Sequence, residues 1–193
     1  MIDKREQILS IAARFFSRQG FHKTSVDEIA RAARVGKATI YQLFRDKTGL
    51  LGEVYRRKGL EIRERMVREI VPGEGTVNRL LKMLSVYWDF CSSDPLFSEF
   101  LDRRDVQELE AIPEFDAIED EAVALIGSVL AEGIERGEIR PMPTELAAHV
   151  LFRIGFYLTH HGRDLFARFS PDAILELFDT VLTRGIAAGN HAG

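Results

Sequence analysis

Apolar positions recur every three to four residues through nearly the whole chain, and no stretch alternates apolar and polar as a half-buried strand would. Ile8, Ile11, Ala12, Phe15 and Phe16 make a stripe between a capping Asp3 and the terminating Gly20. Val26, Ile29, Ala30 and Ala33 make a second, opened by Ser25 with Glu28 at the capping-box position. Ile40, Leu43 and Phe44 give a third helix of barely two turns. A longer helix starts after Asp46 and runs to about Ile70, with a seam of Leu50, Leu51, Val54, Ile62 and Met66. Past Val71-Pro72-Gly73-Glu74-Gly75, five further segments read as helices: Thr76 to about Cys91, a short one begun by Asp94-Pro95, Pro113 to Arg136, Thr144 to His161, and a last one begun by Ser170-Pro171. The pattern predicts an all-α protein of about nine helices.

Two parts of this pattern carry functional information. Residues 24–47 read as two short helices joined by a turn at Arg34-Val35-Gly36, with a third helix beginning at the end. The outer face of the second short helix holds Lys37, Ala38, Thr39, Tyr41 and Gln42. A helix entering a DNA major groove needs short side chains where backbones crowd, donors for phosphates and a few groups that reach base edges. Ala38 and Thr39 can meet a thymine methyl, Gln42 can pair with adenine, and Lys37 and the Tyr41 hydroxyl can reach phosphates. Lys47 falls at a helix N-terminus, where an anion is favoured. From spacing alone, a small helical pair inside any all-α core is the other reading.

The second informative part is residues 144–161, which are apolar on two faces. One face carries Leu146, Ala147, Val150, Leu151, Ile154 and Leu158, the other Phe152, Gly155 and Phe156. A helix apolar around most of its circumference must be covered on both sides. The last helix has a stripe of Ile174, Leu177, Phe178, Val181 and Leu182. Two such helices can pair with their copies across a two-fold axis, burying Val150, Ile154, Ile174, Leu177, Phe178 and Val181. The other reading is that both belong to a monomer core.

Charge separates the chain in two. Residues 1–47 carry a net +5 and the remainder −9. A basic first part on an acidic body suits a nucleic-acid binder with a separate second domain. No run of about 18 apolar residues is present, and the charged start lacks a signal-peptide core, so a cytoplasmic protein with no membrane partner is expected. Cys91 is the single cysteine, which leaves no intrachain disulfide. There is no glycine-rich phosphate loop, no zinc spacing and no catalytic set, so neither a metal nor a cofactor is expected. The adjacent His160 and His161 point about 100° apart on a helix and do not share a metal easily.

Residues 5–55 resemble the N-terminal domain of TetR-family transcriptional regulators. The resemblance is carried by Ile8 to Phe16 with Gly20-Phe21, Thr24-Ser25-Val26, Ile29-Ala30, Val35, Lys37, Thr39-Ile40-Tyr41, Phe44, Lys47 and Leu50-Leu51. The family usually has Gly where this chain has Arg34, Ser where it has Gly36, and Gly or Ala at Ala38. The resemblance implies a helix-turn-helix DNA-binding domain, residues 1–47, and a larger helical-bundle domain, residues 48–193, for ligand binding and dimerisation. It implies a homodimer on double-stranded DNA with a palindromic operator, released by a small hydrophobic or aromatic effector. DNA contacts are then expected from Thr24, Ser25, Lys37, Ala38, Thr39, Tyr41, Gln42 and Lys47. The aromatic-rich second domain offers Trp88, Phe97, Phe152, Arg153, Phe156 and His160 as effector contacts. Two alternatives remain: a DNA-bound protein of this family without a small-molecule ligand, and an all-α binding module or enzyme.

Overall fold

A computed structural model describes residues 3–71, 73–94, 113–161, 165 and 168–186, with residues 113–115, 160 and 161 entering as helix backbone. Among the described residues there are eight helices and no strand: α1 (Lys4–Gln19), α2 (Val26–Ala33), α3 (Lys37–Phe44), α4 (Lys47–Glu69), α5 (Thr76–Ser93), α6 (Pro113–Glu135), α7 (Thr144–His161) and α8 (Pro171–Gly185). The architecture is all-α, as the periodicity predicts. The ninth helix, expected after Pro95 with Phe97 on it, lies outside the described residues.

The chain forms two compact units. One comprises Met1–Glu61 with Cys91–Ile118, the other Ile62–Phe90 with Glu119–Gly193. The chain therefore passes from one unit to the other inside α4, α5 and α6.

In the first unit, Ile8, Ala12, Phe16, Ile29, Ile40 and Leu50 are fully buried, which closes α1, α2, α3 and the start of α4 around one core. Each such large side chain contributes about 1.5–3 kcal/mol when taken out of water. Asp3 caps α1 by accepting from the Arg5 amide at 3.2 Å. Gly20 ends α1 at φ 81°, ψ 163°, an extended positive-φ conformation open essentially to glycine alone and distinct from the left-handed helical cap with which glycine commonly ends a helix. Arg5 and Arg57 tie α1 to α4 through Glu53 at 3.1 Å and Glu6 at 3.2 Å. On α3 the inner residues are Ile40 and Phe44. Leu43, placed with them by spacing, is exposed, because on so short a helix only the i, i+4 pair faces the core.

In the second unit, α7 lies against α5 and α6 through its small residues. A methyl group on Gly155 would stand 3.3 Å from the Leu84 side chain, and one on Gly127 of α6 would stand 3.8 Å from Ala148. The N-terminus of α5 is capped from far along the chain. The Glu138 carboxylate accepts from the Thr76 amide at 2.6 Å and its hydroxyl at 2.7 Å, which holds that carboxyl below its ordinary pKa. Beside it the half-buried Glu132 pairs with buried Arg79 at 2.6 Å. At the other end, Arg140 donates from its backbone to Ile186 at 2.9 Å and from its guanidinium to Arg184 at 3.0 Å, satisfying the last carbonyls of α8.

Candidate nucleic-acid interface

The helical pair α2–α3 is built by local chemistry at three points. Ser25 accepts from the Glu28 amide at 3.2 Å, while Glu28 accepts from the Ser25 amide at 2.8 Å, so both orphan donors at the start of α2 are satisfied. The Ser25 hydrogen bonds hold the Glu28 carboxyl below its ordinary range. At the turn Arg34 itself adopts the left-handed conformation (φ 53°, ψ 42°), its amide donating to the Ala30 and Arg31 carbonyls. Gly36 sits extended at φ −72° as the N-cap of α3, without a side chain to cap it, so the left-handed conformation falls to Arg34. An L-residue in this conformation costs about 1–2 kcal/mol. Arg34→Gly is therefore expected to stabilise the protein by about 1 kcal/mol, or roughly 2–4 °C in Tm by thermal denaturation. An unchanged or lower Tm would refute the strain at this turn.

The third point is the corner after α3. Arg45 has φ 65°, ψ −58°, and the Asp46 amide donates to the Phe44 carbonyl at 2.7 Å. That is a three-residue γ-turn of the strained, positive-φ kind. It brings the Phe44 carbonyl so close to Gly49 that any β-carbon there would overlap the oxygen. Asp46 caps α4 by accepting from the Gly49 amide at 2.7 Å.

On the resulting surface Lys37, Ala38, Tyr41 and Gln42 are exposed and Thr39 is half-buried, all on α3. Lys37 donates to Asp27 of α2 at 2.9 Å, and this hydrogen bond to the carboxylate holds the lysine above its ordinary pKa. Ser25 is exposed but serves as the α2 cap. Thr24 is buried, and its hydroxyl donates to the Gly20 carbonyl at 2.8 Å. Lys47 turns its ammonium away from the α4 N-terminus. It donates to the Phe21 carbonyl at 2.9 Å and the Thr24 carbonyl at 3.2 Å, and lies 4.2 Å from the Phe21 ring centre. The structure thus assembles five of the eight expected DNA-contact residues on α3 and gives Thr24 and Lys47 work inside the α1–α2 loop.

The second unit holds Trp88, Phe152, Arg153 and Phe156 of the expected effector contacts. Phe152 and Phe156 are buried on α7 with stacked rings 6.0 Å apart, and Trp88 is buried on α5. Arg153 pairs with Glu119 of α6 at 2.7 Å, and His149 lies 3.7 Å from the same carboxylate. Glu119 is a buried carboxylate that spacing on its own helix gave no reason to single out. Phe97 and the His160 side chain lie outside the described residues. On the other side of α7, Leu146, Val150, Ile154 and Tyr157 are 41–64% exposed, as are Leu177 and Val181 of α8. Phe178 is half-buried, and Ile174 is 7% exposed because it packs within its own subunit. Leu146 and Tyr157 belong to this outward face although they were not among the expected interface residues.

A capped helix, a left-handed turn and a second short helix with a polar outer face make α2 and α3 of the first unit a helix-turn-helix of the DNA-binding kind. Comparison with known proteins agrees. Residues 8–54 match the family model described as bacterial regulatory proteins, tetR family. The chain is 23% identical over 188 residues to the uncharacterized HTH-type transcriptional regulator YhgD of Bacillus subtilis, spanning 97% of this chain and 98% of that protein. It is 25% identical over 152 residues to the fatty acid metabolism regulator protein of Bacillus subtilis, 77% of this chain and 78% of the relative. The crystal structure of the transcriptional regulator FadR from Bacillus subtilis in complex with stearoyl-CoA shares the fold, with a TM-score of 0.72 and 21% identity over 93% of this chain and 97% of that one. The match places residues 8–54, the N-terminal domain of this chain, in the TetR family of transcriptional regulators. DNA binding in the regulation of transcription is the function that this domain match supports.

Proposed function

We propose that the protein is a homodimeric repressor that reads a palindromic operator and is released from it by a small hydrophobic effector. Residues 1–47 serve as the reading part and residues 48–193 as the effector-binding and dimerisation part. The observation that carries the dimer is the outward apolar face of α7 and α8, which a chain acting alone would leave in water. Each subunit places α3 in a major groove: Ala38, Thr39 and Gln42 meet base edges, while Lys37 and Tyr41 meet phosphates. Two-fold symmetry then sets half-sites about one helical turn apart. Among the described residues no helix is long and apolar enough to cross a membrane, which fits the cytoplasmic site of action this reading requires.

For the effector, the buried rings of Phe152, Phe156 and Trp88 supply apolar lining of the kind that takes a hydrocarbon or aromatic body. Arg153 is engaged by Glu119, so it orients a ligand only if that pair opens. A long-chain fatty acyl compound is the leading effector, since one relative regulates fatty acid metabolism and a structural neighbour holds stearoyl-CoA. The test is a mobility-shift titration on the DNA upstream of the protein's own gene, with free fatty acid or acyl-CoA added. A retarded complex on a palindromic segment, dissolved by either acyl compound, is expected. A complex that forms but resists both compounds would remove the acyl effector and keep the repressor. No complex on any palindrome would remove the operator reading.

A further inference from the structure

The ion pair between Asp27 and Lys37 is oddly placed for a stabilising contact. It joins the first turn of α2 to the first residue of α3, ten residues on, and both side chains are about half exposed. Among the described residues each is the other's only ion partner. Exposed pairs of this kind add little to folding. Asp27 does not need Lys37, because a carboxylate in the first turn of a helix is already favoured by the free amides there. Lys37 stands at the positive end of α3, where a cation is disfavoured unless an anion lies beside it. By contrast, Arg34 and Arg45, exposed at either end of α3, have no carboxylate within pairing distance among the described residues.

We infer that Asp27 is an affinity-setting residue, a carboxylate that occupies Lys37 in the DNA-free protein as a surrogate for phosphate. This rests on Lys37 being a phosphate contact, as proposed above. An ammonium donates to carboxylate and phosphate oxygens in the same way, so one can replace the other without rearranging the helix. Two anions beside one ammonium repel each other, so a phosphate competes with the Asp27 carboxylate for Lys37. Asp27 thereby subtracts from DNA affinity at the residue that adds most directly to it. A regulator that must let go of DNA on signal is kept from binding too tightly by such a contact.

The size of the effect follows from the exposure of the pair. A surface ion pair changes an equilibrium by no more than about fivefold, and two subunits on one duplex square that limit to about 25-fold. The gain should shrink as salt rises, because salt screens exposed charges.

The experiment is fluorescence-anisotropy titration of a labelled 30-base-pair duplex of arbitrary sequence with the full chain, at several salt concentrations. Wild type, Asp27→Asn, Lys37→Ala and the double variant are compared, with Asp27→Ser as a second replacement and thermal melts to confirm folding. Asp27→Asn and Asp27→Ser should each tighten binding about 2- to 25-fold at low salt. In the Lys37→Ala background the same replacement should gain much less. Equal gains in both backgrounds would mean that Asp27 acts only through net charge, and weaker binding by Asp27→Asn would mean that it positions Lys37 for DNA; either overturns the inference. If Lys37→Ala itself leaves affinity and salt dependence unchanged, the phosphate assignment of Lys37 falls, and the inference falls with it.

Discussion

Leu177→Glu combined with Val181→Glu should convert the protein to a monomer at micromolar concentration and abolish tight operator binding. Both side chains already face water in the isolated subunit, so the substitutions leave the subunit core untouched and its thermal melt should remain cooperative. In a two-fold dimer through α7 and α8 the same change places four carboxylates in an apolar seam. Each unpaired charge there costs at least a few kcal/mol. A total of only about 4 kcal/mol already weakens dimerisation roughly a thousandfold. Operator affinity falls with it, because each DNA-binding unit then meets its half-site alone, without the effective concentration that a partner provides. Sedimentation equilibrium reads the first result and a mobility shift the second. A double variant that stays dimeric places the interface elsewhere. Ile174→Glu is the poorer probe, because Ile174 is buried within its own subunit and its substitution would damage folding in either case.

Lys47→Ala should destabilise the DNA-binding unit by about 2–3 kcal/mol while leaving the salt dependence of DNA binding close to that of wild type. The ammonium makes two charge-assisted hydrogen bonds, to Phe21 and Thr24 carbonyls, and faces the Phe21 ring. Hydrogen bonds to charged groups are worth about 1.5–3 kcal/mol each when measured by deletion, and an exposed cation–π contact adds about 0.5–1 kcal/mol. Water replaces part of this at a half-buried site, which brings the sum down to the stated range. Were the ammonium a phosphate contact instead, its loss from both subunits would flatten the slope of log affinity against log salt by roughly 2. A lowered melting temperature with an unchanged slope is the expected result. An unchanged melting temperature with a flattened slope would return Lys47 to the phosphates.

Lys47 marks where reading from sequence stops. It looks like a phosphate ligand because it opens α4, and a helix N-terminus attracts anions. Its ammonium nevertheless reaches back 26 and 23 residues to the carbonyls of Phe21 and Thr24. A flexible four-carbon stem lets a lysine choose among all acceptors within its reach, and only the folded chain fixes which are near. The same holds for Glu119, whose partners His149 and Arg153 come from another helix, and for Glu138, which caps α5 from 62 residues away.

The sequence by itself determined the helices. Apolar spacing and capping are local: Ser25 and Glu28 are three residues apart, Ser170 precedes Pro171, and the stripe of α1 repeats within single turns, so these features act before any distant contact forms. It also determined which face of α3 is polar, since residues on one short helix have fixed angular relations. Tertiary structure decided how each apolar stripe is divided between core and outside. The stripe of α8 is wider than one neighbour can cover, so Ile174 and Leu182 turn inward while Leu177 and Val181 are left in water. Composition cannot distinguish these positions, because all four are aliphatic and the hydrophobic effect is non-directional. The partition follows from where the neighbouring helices lie, and that is set by packing over the whole unit.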